Sequence, residues 1–388
     1  MPGRGSTWAT VVASATAVAT FITAWAHAET APRWRPRDGS DLILVLPVAP
    51  GPADAGAAAD PLRVAAQADA FIALARRSRD ARWFGRAEAL VEPWVARPDA
   101  PARLLVAAAD VAQQRHDFTA ARGYLDRALA ADPGNAGARL QRANVAQLLG
   151  DFIAARSDCR AVLVSGNAFA GTTCLAATAT GPGSVARGRK LLTALDRQGE
   201  VPAAVARWQL LTAADLASRD GDADAELAFL ARAHALDPAH EETRARLAAL
   251  LVDRGDAKAA LTLAAGENVS AALLVARLRA ATGIDAGIAL AARQELDALL
   301  EVGRLRGTRA HLREAGELAL RADRDPRRAL ALARENFAIQ KDTPDLRLFV
   351  DAAVAAQDHG TIRYLQDWMA ATGFEDRVAA SRLSKAGA

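Results

Sequence analysis

The residue types in this chain best suited to ligate a metal or attack a substrate are two cysteines, Cys159 and Cys174, and six histidines. Two cysteines with no nearby histidine do not supply the four ligands of a tetrahedral zinc site. His311 and Glu314 share a helix face, but no His-Glu-x-x-His pattern and no third ligand accompanies them. His116 falls in a turn, and His234 and His240 flank the end of a repeat, so each reads as structural or solvated. Gly183-Ser184-Val185-Ala186-Arg187-Gly188-Arg189-Lys190 has the glycines of a phosphate-binding loop. It lacks the Gly-Lys-Ser/Thr ending and no strand precedes it, so a turn between two helices is expected there. There is no Gly-x-Ser-x-Gly elbow and no Cys/His pair in a recognisable nucleophile context. The residues predict neither catalysis nor a cofactor.

The elements that would carry binding instead are helices. At 388 residues the chain is too long for one ordinary core, so several domains or a repeat array are expected. Hydrophobic residues make up 51% and charged residues 24%, a folded composition rather than a disordered one. Aromatics are only 5% and alanine supplies much of the apolar content, which favours closely packed helices over sheets. The 48 Lys and Arg against 45 Asp and Glu leave a net charge of +3 with no long basic run, so nucleic-acid binding has little support.

Arg4 precedes an uncharged stretch, Trp8 to Ala26, and Ala26-His27-Ala28 follows as an Ala-x-Ala site before Glu29. This pattern predicts a signal peptide over residues 1–28, with the mature chain starting at Glu29 and the periplasm as destination. The alternative is an uncleaved inner-membrane anchor, since the apolar stretch is nearly long enough to span a bilayer. Residues 29–60 are rich in Pro, Gly, Ala and Asp and read as a linker. Within it, Asp41 to Pro47 is an apolar segment expected to pack on the first helices or in a groove.

Self-similarity appears at a spacing of 34 residues. Arg115-His116-Asp117-Phe118-Thr119-Ala120-Ala121-Arg122 aligns with Leu149-Gly150-Asp151-Phe152-Ile153-Ala154-Ala155-Arg156 at that offset. Gly221-Asp222 and Gly255-Asp256 are again 34 apart. Gly-Asp ends one helix and caps the next. Ala75, Ala109, Ala143, Ala214 and Ala248 mark the small position of each first helix, and Ala87, Ala121, Ala155 and Ala260 that of each second helix. Asp132-Pro133 and Asp237-Pro238 close repeats. Asp325 sits 69 residues after Asp256, and His359 sits 34 after Asp325, so the frame persists.

These residues resemble the tetratricopeptide-repeat (TPR) family, of the exported bacterial type. The resemblance implies an all-α, right-handed solenoid of about nine helix–turn–helix pairs, with a capping helix from about Glu375 to Lys385. It covers residues 61–265 well, with a degenerate repeat at 171–200 and divergent repeats over 266–388. Arg377, Arg382 and Lys385 give that last helix the polar face of a cap. Such arrays hold a peptide or helix in a groove lined by first-helix side chains. Carried over by frame, the lining is Arg103, Val106, Asp110 and Gln113, then Leu140, Asn144 and Gln147, then Trp208, Leu211, Asp215 and Arg219. Asn144 matches the asparagine of family members that grip a peptide C-terminus, but the lysines of that clamp are absent. Trp208 is either an anchor for a partner or a packing residue between repeats. The frame also makes Cys159 and Cys174 neighbours, on the second helix of one repeat and the first of the next. A disulfide is expected, the alternative being two small thiols filling core. The function implied is a protein- or peptide-binding adaptor without catalysis. The alternative is a membrane-tethered or oligomerising scaffold, or an accessory subunit of an envelope transporter or enzyme complex.

Overall fold

The protein is described here from a computed structural model, which covers residues 60–387 apart from 79, 81, 196–200, 268 and 306. The expected signal peptide and the linker, with its Asp41–Pro47 segment, lie outside the described residues, save for Asp60. Among the described residues there are nineteen helices and no strand.

The helices form nine consecutive pairs. The first four are α1 (Pro61–Ser78) with α2 (Arg82–Val95), α3 (Ala102–Gln114) with α4 (Phe118–Ala131), α5 (Ala136–Leu149) with α6 (Phe152–Val164), and α7 (Ala168–Ala177) with α8 (Ser184–Leu195). Next come α9 (Ala203–Asp220) with α10 (Ala223–Leu236), α11 (Glu241–Asp253) with α12 (Ala257–Leu263), and α13 (Ala271–Ala281) with α14 (Ala286–Leu305). The last two pairs are α15 (Leu312–Arg321) with α16 (Pro326–Ile339) and α17 (Thr343–Ala355) with α18 (His359–Thr372), followed by α19 (Arg377–Gly387). Helix count, pairing and the final helix match the all-α solenoid expected from the period. The described residues belong to one compact unit.

The alanines do what the spacing requires. All nine repeat-position alanines named above are buried, so the two helices of a pair approach without intervening side chains. Turns are built by Gly-Asp. Gly150 adopts a left-handed φ of 84°, and Asp151 then accepts from the N–H of Ala154 to cap α6. The N–H groups of Gly150 and Asp151 return to the carbonyls of Gln147 and Ala146, the Schellman pattern that satisfies a helix end.

The chain then closes on itself. The N–H of Lys341, between α16 and α17, donates to the carbonyl of Leu148 at the end of α5 (2.8 Å), and Ile339 packs on the core around Phe118, Leu125 and Val145. Phe374, between α18 and α19, joins Phe152 of α6 and Trp368 of α18 in one aromatic cluster.

One local expectation changes. The turn in the fourth pair is Thr178–Gly183, and Ser184–Lys190 forms the first turns of α8, because Gly183 (φ 71°) rather than the following run ends the turn. The N-cap of α18 is Asp358, one residue before His359. In α19, Ala379 and Leu383 are buried, while on its exposed side Arg377 pairs with Asp220 at 3.0 Å and Arg382 with Asp351 at 2.6 Å.

Candidate binding face

First-helix side chains of α1, α3 and α5 form a polar ladder. Arg103 bonds to Asp69 one repeat earlier (2.7 Å), and Arg76 of α1 bonds to Asp110 of α3 (2.8 Å). The Gln141 amide also donates to Asp110, and Asn144 donates to the Gln113 side chain at 3.5 Å. Exposed pairs of this kind add little to stability, so their effect is to order a row of donors and acceptors. Arg103 and Asn144 are exposed, while Val106, Asp110, Gln113, Leu140 and Gln147 are half-buried. An ordered strip of amides and charges offers hydrogen bonds to an extended backbone, because an amide both donates and accepts.

The residues placed on α9 meet a different environment. Trp208 is half-buried and packs with Leu140 and Leu175 around the two cysteines, and Leu211 is buried. Asp215 lies 3.8 Å from Arg219. Arg219, expected to line an open groove, is only 1% exposed and is covered by the chain's own later segment. Its Nε donates to the carbonyl of Glu375 (2.8 Å), Nη2 donates to that of Ala179 (3.3 Å), and its guanidinium lies 4.1 Å from the Phe374 ring centroid. Burial pushes the Arg219 pKa down, against the pull of the Asp215, Asp376 and Glu375 carboxylates. Next to it, Arg347 of α17 makes a two-pronged contact with buried Asp376 and reaches the Ser218 carbonyl at 2.7 Å.

The segment that covers Arg219 also completes a helix. Every second helix from α4 to α18, except α8, has an aspartate just before it that accepts from its first turn: Asp117, Asp151, Asp222, Asp256, Asp285, Asp325 and Asp358. At α8 the sequence Thr180-Gly181-Pro182-Gly183 supplies no such residue. The Glu375 carboxylate takes that place, accepting from the N–H groups of Gly183 (2.5 Å) and Val185 (3.0 Å) and from the Ser184 hydroxyl (2.8 Å). Burial opposes its ionisation, but these hydrogen bonds prevail and hold the carboxyl below the usual glutamate range. The N–H of Gly181 donates to the Gly373 carbonyl (2.7 Å), which closes the contact.

Sequence reasoning missed Phe374, Glu375, Asp376 and Arg347. The one available signal was the missing aspartate before α8, which leaves first-turn donors in need of a distant acceptor.

Cys159 of α6 and Cys174 of α7 are joined as a disulfide, with Cα atoms 5.3 Å apart. Gly171 makes this close approach possible, since a Cβ there would lie 2.5 Å from the backbone of Leu163. Exposed large apolar side chains are most numerous at α14, with Ile288, Leu290, Val302 and Leu305 on it and Ile284 just before it; α6 exposes two, Ile153 and Val164. Among the described residues, no three His, Cys, Asp or Glu side chains converge as metal ligands, and no helix is long and apolar enough to cross a membrane.

No protein-family model matches the chain, and no curated protein does. The solved structures similar to it include the following two. One, described as a human IFIT1 dimer with m7Gppp-AAAA, has a TM-score of 0.38 and 13% identity, covering 83% of this chain and 80% of its own. The other, the TPR domain of P58(IPK), has a TM-score of 0.22 and 16% identity, covering 84% and 97%.

Proposed function

We propose that this chain is a binding scaffold that holds an extended segment of a partner protein on the first-helix face of α1, α3 and α5, and that it performs no catalysis. The observation that carries this reading is the ordered polar ladder from Arg103 through Asp110 and Gln113 to Asn144. The later part of the same face, at Arg219, is occupied from within, so with α19 in place the proposed partner site lies on the earlier repeats. A peptide library selected on the purified full chain tests this. Bound sequences should lose about tenfold or more in affinity when Gln113 and Asn144 are both changed to Ala, given the usual worth of one or two hydrogen bonds. Unchanged affinity would remove this face from consideration.

Export to the periplasm belongs to the same proposal. It is supported by the Arg4, apolar and Ala26-His27-Ala28 pattern and by the cysteine pairing, since disulfides persist in oxidising compartments. Cell fractionation and an intact mass starting at Glu29 would agree with it; an uncleaved, membrane-bound product would favour a tethered scaffold.

A second reading, an oligomerising scaffold, draws support from the apolar face of α14. A twenty-residue helix presents about 30 Å of such surface, which suits a second copy of the same helix.

A further inference from the structure

The geometry points to a latch: Gly373–Gly387, the strap and α19, is a separately opening unit that shuts the α9 end of the first-helix face. This rests on the binding reading for its purpose, though not for its existence.

The contacts of this unit divide unevenly. Its root is polar: Glu375 caps α8, the Glu375 carbonyl accepts a hydrogen bond from Arg219 Nε, and Asp376 binds Arg347. Phe374 is an aromatic anchor among Phe152, Trp368 and Arg219, and Leu383 of α19 is buried in the same core cluster. Beyond the root, α19 buries little besides Ala379 and Leu383. A crevice of about 360 Å³, lined by Gly221, Arg377, Val378, Ser381 and Arg382, remains beside it. With Phe374, Ala379 and Leu383 as its buried apolar side chains, against six on α17, the unit has the smaller apolar burial of a region that opens below the global unfolding free energy.

Release of the unit would expose three groups at once: the first-turn N–H donors of α8, the Arg219 guanidinium, and the ring site of Phe374. Together they suit an extended partner segment with an aromatic residue followed by an acidic one, the sequence the latch itself presents.

Amide hydrogen exchange on the full chain, with no partner present, tests the latch independently of the binding reading. The amides of Gly181, Gly183 and Val185 are predicted to exchange in step with Ala379 and Ala380, and faster than the middle of α11. Glu375→Ala is predicted to accelerate both groups together by about ten- to a hundredfold, the worth of charge-assisted hydrogen bonds, leaving α11 unchanged. The wild-type chain in low urea supplies the same comparison without a variant. Unrelated rates in the two groups, no acceleration, or acceleration of the whole chain together would overturn the proposal.

Discussion

Glu375 caps α8 in place of an aspartate that the sequence lacks: its carboxylate meets the N–H of Val185 at 3.0 Å across 190 residues of chain. Seven other second helices are capped by a neighbour in sequence. This one depends on the closure of the solenoid, so the stability of the fourth pair and of the closure are linked.

Arg219→Ala should destabilise the protein by about 3–5 kcal/mol, because it strands the Glu375 and Ala179 carbonyls and removes the cation facing Phe374. Arg219→Lys should recover only part of this, since an ammonium lacks the planar fork that reaches two carbonyls while stacking on a ring. Urea unfolding midpoints of the two variants provide the check.

Reduction of the Cys159–Cys174 bond, or Cys159→Ser with Cys174→Ser, should lower stability by about 3 kcal/mol, the chain-entropy value for a loop of this length, with residues 15 apart. Unfolding with and without reductant measures it. Gly171→Ala should be destabilising by at least about 1–3 kcal/mol, because its Cβ meets the Leu163 backbone rather than a side chain able to move.

The repeat was legible because its signals are local. Asp117, Asp151, Asp222 and Asp256 cap the helices that follow them, and alanines such as Ala121, Ala155 and Ala248 are buried as the period requires. Closure was not legible, because Phe374, Glu375 and Arg347 meet α6, α8 and α9 at separations that no 34-residue frame encodes. The same frame placed Arg219 on the groove side and was silent about what covers it. Trp208 illustrates the middle case: periodicity puts it on the correct helix, but its packing beside the disulfide depends on the short α7.

Stability should fall with acidification from just below neutrality. His116, in the α3–α4 turn, has a buried Nδ1 with no hydrogen-bond partner among the described residues. Burial lowers its pKa from 6.5; Glu314 and Asp342 act in the opposite direction, while Arg313 and His311 reinforce the lowering. A lowered histidine pKa means the fold holds the neutral ring. Its contribution is complete above 6.5 and is lost as the pH drops through the folded-state pKa. His240, lowered mainly by burial, acts in the same sense. Urea midpoints between pH 8 and 5 should decline, and His116→Gln should flatten part of that slope. A second loss, from Glu375, belongs below its ordinary value of 4.5.

If α14 joins two copies, light scattering across a concentration series should show a dimer that Ile288→Asp with Val302→Asp converts to monomer, because two buried carboxylates would lack partners. A single monomeric mass at all concentrations would remove the oligomerising reading.

The most direct test of the binding face is site-specific photo-crosslinking in cells that make the protein naturally. A photoreactive residue replaces Asn144 on the first-helix face in one version and Ile153, 77% exposed on the second helix α6, in another. A discrete adduct from position 144 and none from position 153 is the predicted result. No adduct from 144, or an adduct from 153 alone, would contradict it.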